Sequence, residues 1–382
     1  MTVPSGNDGP AQFDEPTWRI PLPRVADAEV FHQRAAYPTR YVPQPHPPLQ
    51  TPFVTGQHPG AMAAQPVAAG PQQLRLIAPV QRRPSRGWRR LVYVLTAGLV
   101  NPKESPRDRH RRALVARVNK EVRGDYRIAV LSLKGGVGKT TTTVALGATL
   151  ASIRGDRVIA VDANPDFGTL AQRGPDQTRA TVRDLLADTS IRRYSDVRAY
   201  TSQGESRLEI LASERDPAVS ESFSEEDYRQ VISLLQRFYN IILTDCGTGL
   251  MHSAMKGVLD EANAIILVTS PAMDGATSAQ GTLDWLSHQG YGHLVANAVV
   301  VVSSSRPGAT SMDIDELMRY FQSRSRAVHF IPFDDHLAEG SEVALSLMNR
   351  RTQDAFIELA ATVADAFVRT DRRSGGPVMR VE

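Results

Sequence analysis

The chain has 382 residues, 41% of them hydrophobic and 22% charged, a balance that suits a globular protein and excludes a collagen-like or wholly disordered one. Its net charge of +3 averages three unlike parts: residues 1–70 carry −1, residues 71–123 carry +11 and residues 124–382 carry −7. A single cysteine, Cys246, excludes an intrachain disulfide framework, and the longest lipid-like run, residues 91–100, is half of the roughly 20 residues that a spanning helix needs. The opening MTVPSGNDGP has neither the basic nor the apolar region of a secretory signal, so a reducing cytoplasm is the expected compartment.

Sixteen of the 25 prolines fall in residues 1–84. Their fixed φ and missing N–H exclude helices and central strands, so 1–84 is expected to be a disordered Pro-rich tail. Two readings stay open for its apolar islands, such as Trp18 to Pro23: a solvated tail, or polyproline II docking on a partner.

Residues 85–123 read as a basic amphipathic helical connector, in which Trp88, Leu91, Val92, Leu95 and Leu99 fall at helical spacing beside Arg86, Arg89 and Arg90. Such a helix packs on the following domain with its arginines in water, or meets a protein groove, nucleic acid or anionic lipid.

From Tyr126 onward, short β-branched runs alternate with helical patterns. Strands are expected at 128–133, 157–162, 208–211, 241–245, 264–270, 298–303 and 328–332, and a closing helix at 353–368 carries Phe356, Leu359, Val363 and Phe367 on one face. This alternation predicts an α/β fold, a mostly parallel sheet with helices on both faces, over residues 124–370, followed by a flexible C-terminus at 371–382. In such folds ligands sit at the carboxyl ends of the strands.

The strongest motif follows the first strand: Lys134-Gly135-Gly136-Val137-Gly138-Lys139-Thr140-Thr141, leading into a helical run. Glycines at these positions let backbone N–H groups curl around phosphate oxygens at the positive end of a helix. Lys139 is expected to reach the β and γ phosphates of ATP, and the Thr140 hydroxyl to ligate Mg²⁺. Leu133 stands where the general GxxxxGK[ST] pattern has its first glycine, so the motif is the KGGxGK[ST] variant.

That variant resembles the deviant Walker A loop of the MinD/ParA family of P-loop ATPases. The resemblance implies an ATP-dependent homodimer in which two subunits sandwich two nucleotides, with Lys134 reaching the partner's ATP. It implies further that Asp162, at the end of the second strand, supports Mg²⁺, and that Asp245, ending Ile241 to Asp245 as a Walker B carboxylate, holds it too, with 247–249 opening a switch loop. Family members carry a second aspartate two residues after the first; here that position is Asn164. An amide hydrogen-bonds water but does not take its proton, so slow hydrolysis with a long-lived ATP state is expected, Asp166 being the nearest substitute carboxylate. Ser303 stands where relatives place an adenine-reading asparagine, and Pro332 begins the segment resembling their base-covering loop. Cys246 reads as a strand-end filler.

A narrower likeness, over roughly residues 84–368, rests on RGWRRLVYVLT, DCGTG, TLDWLSHQGY and IPFDDHLAEGSEVALSL. These strings resemble the MinD/ParA-like ATPases associated with type VII (ESX) secretion in mycobacteria and relatives. The implied function is an ATP-binding, slowly hydrolysing dimerisation switch that regulates or supports a secretion system through a protein partner, cytoplasmic or recruited by that partner to the inner face of the membrane. Two alternatives stand beside it: a positioning ATPase that binds DNA or membrane through the +11 segment, and a non-hydrolysing ATP-binding scaffold.

Overall fold

The computed structural model describes residues 88–97, 99, 105–164, 168–213, 223–249, 252–308 and 313–367. These belong to one unit, Ile77–Glu382. The expected tail at 1–84, the C-terminus at 371–382 and the turn with Pro165 and Asp166 lie outside the described residues.

Eight strands, β1 (Tyr126–Leu131), β2 (Val158–Ala163), β3 (Ser202–Gln203), β4 (Glu209–Leu211), β5 (Ile241–Cys246), β6 (Ala264–Thr269), β7 (Val299–Ser303) and β8 (Ala327–Ile331), form one sheet in the order β3-β4-β2-β5-β1-β6-β7-β8. Every neighbouring pair is parallel except β3–β4. Seven of the eight match expected runs, because strands covered on both faces are written as continuous apolar stretches. β3 does not: Ser202 and Gln203 are polar, and only pairing with Glu209 and Ile210 at the sheet edge makes them a strand.

The helices are α1 (Trp88–Leu95), α2 (Pro106–Val118), α3 (Lys139–Ile153), α4 (Val182–Ala187), α5 (Tyr194–Arg198), α6 (Glu225–Leu235), α7 (Ser253–Glu261), α8 (Met273–His288), α9 (Gly292–Ala296), α10 (Ile314–Gln322), α11 (Asp335–Ala338) and α12 (Arg350–Ala364). Alternate strand residues feed two separate cores. Ile128 and Val130 pack with Leu146 and Leu150 of α3 and with Phe356, Leu359 and Val363 of α12. Ala129 and Leu131 face the other way, toward Val231 of α6, Val258 of α7, Leu286 of α8 and Phe321 of α10. The closing helix buries all four expected residues, Phe367 from just past its end, edge-on to Tyr126 at 4.8 Å.

The basic segment divides in two. α1 stops at Leu95, so Leu99 is not on the expected helical stripe; it is 91% exposed, and Leu91 and Leu95 are exposed as well. α2 starts cleanly, with Pro106 in its first turn and the Ser105 hydroxyl accepting from Asp108 N at 3.1 Å. Its Leu114 and Val118 enter the first core. Arg111 pairs with Asp354 at 2.9 Å, Arg117 and Lys120 with Asp365 at 2.5 and 2.6 Å, and Arg107 also reaches Asp354. Half of the segment read as a connector is thus built onto α12. No helix among the described residues is long and apolar enough to cross a membrane.

Candidate functional site

Parallel strands in register bring the loops at their carboxyl ends together. β1 lies between β5 and β6, and β2 lies on the other side of β5. Val130 of β1 stands level with Asp245 of β5, which stands level with Asp162 of β2. Two carboxylates therefore end adjacent strands, each 1% exposed. That register is tertiary information; the sequence shows only that each aspartate ends an apolar run.

The glycine loop after β1 turns through left-handed backbone at Gly136 (φ 74°) and Gly138 (φ 89°), where a Cβ is strained. A Cβ on Gly138 would also lie 3.2 Å from Ser303 Oγ, so the end of β7 abuts the loop. Around Gly135 and Gly136 an added Cβ meets nothing within 4 Å, which leaves the outer side of the loop open. Val137 is buried in the first core and presents only backbone outward. Gly138 caps α3 without a side-chain hydrogen bond, so donors of the first turn remain for an anion.

Lys139 is 9% exposed and donates from Nζ to Asp245 Oδ1 at 2.8 Å. Thr140 Oγ1 donates to Asp245 Oδ2 at 2.7 Å, and Thr143 Oγ1 to Asp245 Oδ1 at 3.1 Å. Thr143 was not anticipated; one helical turn past Lys139, it bonds both the Lys139 carbonyl and the same carboxylate. Thr141 is half-buried in the first turn of α3. Among the described residues Asp162 pairs with no cation of its own: its Oδ1 accepts from Asn164 N and its Oδ2 from Leu170 N, both at 3.1 Å. Burial, and then the neighbouring Asp245, push its carboxyl up to about 7.

A divalent cation fits this donor set. Two carboxylates and the Thr140 hydroxyl offer the hard oxygen ligands that Mg²⁺ takes, and the crowded negative charge that raises Asp162 is what a cation would relieve. The open glycine loop offers N–H groups for phosphate oxygens, which would complete the cation's shell.

Other expected positions sort by distance from this centre. Asn164 is half-buried beside Asp162. Ser303 pairs with Ile331, and Ser304 N donates to Ile331 O at 3.0 Å, so Ser303 and Pro332 sit at adjoining strand ends. Cys246 is fully buried and its thiol pushed up to about 12, which suits a filler and not a nucleophile. His252 caps α7, its Nδ1 accepting from Ala254 N at 3.3 Å.

Lys134 turns away from the carboxylates. Its Nζ pairs with Asp274 in the first turn of α8, and Asp274 Oδ1 accepts from Gly275 N at 2.7 Å. The pair borders an open cleft of about 1230 Å³ between the glycine loop, α8, the loop after β7 and α10. Asp274 carries no sequence signal, since an aspartate in the first turn of a helix is commonplace.

Residues 128–347 match the family described as the CobQ/CobB/MinD/ParA nucleotide binding domain. Over 290 residues the chain is 39% identical to the ESX-1 secretion-associated protein EspI of Mycobacterium tuberculosis, a match that covers 75% of this chain and 43% of that protein. The chain thus spans less than half of that relative's length. Over 256 residues it is 24% identical to the sporulation initiation inhibitor protein Soj of Bacillus subtilis, covering 62% of this chain and 97% of Soj. In fold it is similar to the cell division ATPase MinD of Pyrococcus furiosus, with a TM-score of 0.52 at 23% identity over 64% of this chain and 99% of that one.

Proposed function

Because the chain belongs to the CobQ/CobB/MinD/ParA nucleotide binding domain family, we propose that it binds Mg-ATP as a slowly hydrolysing, nucleotide-dependent dimerisation switch that regulates or supports a type VII secretion system. The observation that carries this reading is the convergence of Lys139, Thr140 and Thr143 on buried Asp245, next to Asp162, beneath an open glycine loop. In it, the N–H groups from Gly135 to Thr141 cradle phosphates, Lys139 exchanges Asp245 for them, and Thr140, Asp162 and Asp245 hold Mg²⁺ directly or through water. Bound Mg²⁺ supplies charge neutralisation between the phosphates. Lys134 exchanges Asp274 for the nucleotide of a second subunit, while Ser303 and Pro332 border the base.

The secretion role draws its support from the likeness to EspI, and the protein partner comes with it. Anchoring to DNA or anionic lipid through the +11 segment draws less support, since α2 and the residues just after it spend Arg107, Arg111, Arg117 and Lys120 on carboxylates of their own unit. Asn164 supports slow turnover, because no carboxylate stands there to accept a proton from water.

The test is sedimentation velocity with a slowly hydrolysed ATP analogue and Mg²⁺. A monomer-to-dimer shift that disappears in Lys134→Ala is expected, and no shift in the wild type overturns the switch. Phosphate release checks the rate: Asn164→Asp is expected to raise it, and a wild-type rate unaffected by that change removes Asn164 as the cause of slow turnover.

A further inference from the structure

Between β2 and α4 the chain forms a 3₁₀ turn, Leu170–Arg173, tied at its start to the candidate site. Leu170 N donates to Asp162 Oδ2, and Thr169 Oγ1 lies 3.2 Å from Thr140 Oγ1. In a 3₁₀ turn residues three apart eclipse, so Arg173 leaves on the same side as Leu170, which is fully buried in the core shared with α3. The Arg173 carbonyl accepts from Val343 N at 3.0 Å, which joins the turn to the segment that follows α11.

The guanidinium that results is unusual for this protein. It is half-buried, and among the described residues its one polar contact is a long one, Nη1 to Leu337 O at 3.5 Å. Its other boundary is backbone: a Cβ added at Gly340 would lie 3.9 Å from Nη2. Other half-buried guanidiniums are well partnered, Arg127 by Glu261, Arg229 by Glu225, Asp260 and Glu261, and Arg198 by Thr201 and Gln177. Arg173 has no such match among the described residues. Burial lowers its pKa, and the Asp245 carboxylate, at the centre of the candidate site, acts on it in the opposite sense. A planar group with five donors that spends one of them on a marginal contact keeps its fork open for an anion.

Its position says which anion. Arg173 stands between the segment leaving β2, which touches Asp162 and Thr140, and the segment leaving β8, which begins at Pro332. The first touches the start of α3 at Thr140, and the second follows Ile331, which pairs with Ser303, the residue that abuts Gly138 of the glycine loop. We infer that Arg173 is a further phosphate-contacting residue of this site, donating from within the same subunit to a phosphate oxygen of the bound nucleoside triphosphate. The inference rests on the ATP-binding reading above and deepens it. Together with Asn164, which removes a negative charge from the same segment, Arg173 tilts that segment toward holding phosphate.

The experiment is calorimetric titration of Mg-ATP into the full chain, wild type, Arg173→Met and Arg173→Lys, at low and high salt. Arg173→Met is expected to weaken binding about tenfold to a hundredfold at low salt, as loss of a charge-assisted contact does. The deficit narrows at high salt, where the attraction is screened, and Arg173→Lys, which keeps the charge without the fork, falls between the two. Arg173→Met binding as the wild type does overturns the inference. So does a deficit that is equal at both salts and unrelieved by lysine, the pattern of a side chain that only packs against Leu337. A wild type that binds no Mg-ATP overturns the nucleotide reading itself, so the two failures are distinguishable.

Discussion

Two regions of the molecule treat charge in opposite ways. On the α2–α12 face, every basic group that reaches a carboxylate is matched in the half-solvated zone: Arg111 with Asp354, Arg117 and Lys120 with Asp365. At the carboxyl ends of the strands, two aspartates are buried side by side with one lysine, and Arg173 stands nearby with no carboxylate partner among the described residues. The first arrangement is what folding alone favours. The second is destabilising unless a ligand supplies the missing charges, and strongly perturbed groups in such a place are how a functional site differs from a structural one.

The largest expected effect breaks the second region. Lys139→Ala leaves Asp245 buried without its cation, and removing one partner of a buried pair typically costs about 3–5 kcal/mol. Chemical denaturation without nucleotide is expected to show that loss, and titration to show ATP affinity reduced by about a hundredfold or more. A variant as stable as the wild type would mean that the Lys139–Asp245 pair adds nothing to the resting fold.

Asp162 provides the converse. Its carboxyl is raised to about 7 from the ordinary carboxylate range, so the folded state binds its proton more tightly than the unfolded state, and stability falls as pH rises from about 4 toward 7. Asp162→Asn is therefore expected to be more stable than the wild type by up to about 4 kcal/mol at pH 8 without Mg²⁺, and close to it near pH 4. Mg-nucleotide is expected to stabilise the wild type and not the variant. A less stable Asp162→Asn at pH 8 would contradict like-charge crowding.

On the opposite face, His329 of β8 gives a pH dependence of the other sign. Its Nε2 lies 2.9 Å from Thr362 Oγ1, and burial, with Arg117 and Arg326 nearby, lowers its pKa to about 4. The folded state therefore binds the proton less tightly than the unfolded state, so stability is full above about 6.5 and is lost as pH falls toward 4. The expected loss is about 3 kcal/mol, and His329→Gln is expected to flatten it in thermal melts across that window. The smallest effect belongs to the matched charges. Asp365→Asn, half-exposed at the C-terminal cap of α12, is expected to cost under about 1 kcal/mol, most of it gone in 1 M salt.

The parts of this protein that are legible in its sequence are those written locally. The KGGVGKTT loop, the apolar runs that become β1, β5 and β6, and the carboxylates at the ends of β2 and β5 all follow from short-range pattern, because a strand buried on both faces and a phosphate-cradling turn each impose their composition on consecutive residues. The +11 of residues 71–123 was legible too, and so was its sign against the −7 that follows. Composition did not say where those charges go. That α2 lies on α12, that Lys134 meets Asp274, that Asp162 stands level with Asp245 and that Arg173 is left unmatched were decided when distant segments packed. Electrostatic energy depends on distance and burial, and neither exists until the chain has folded.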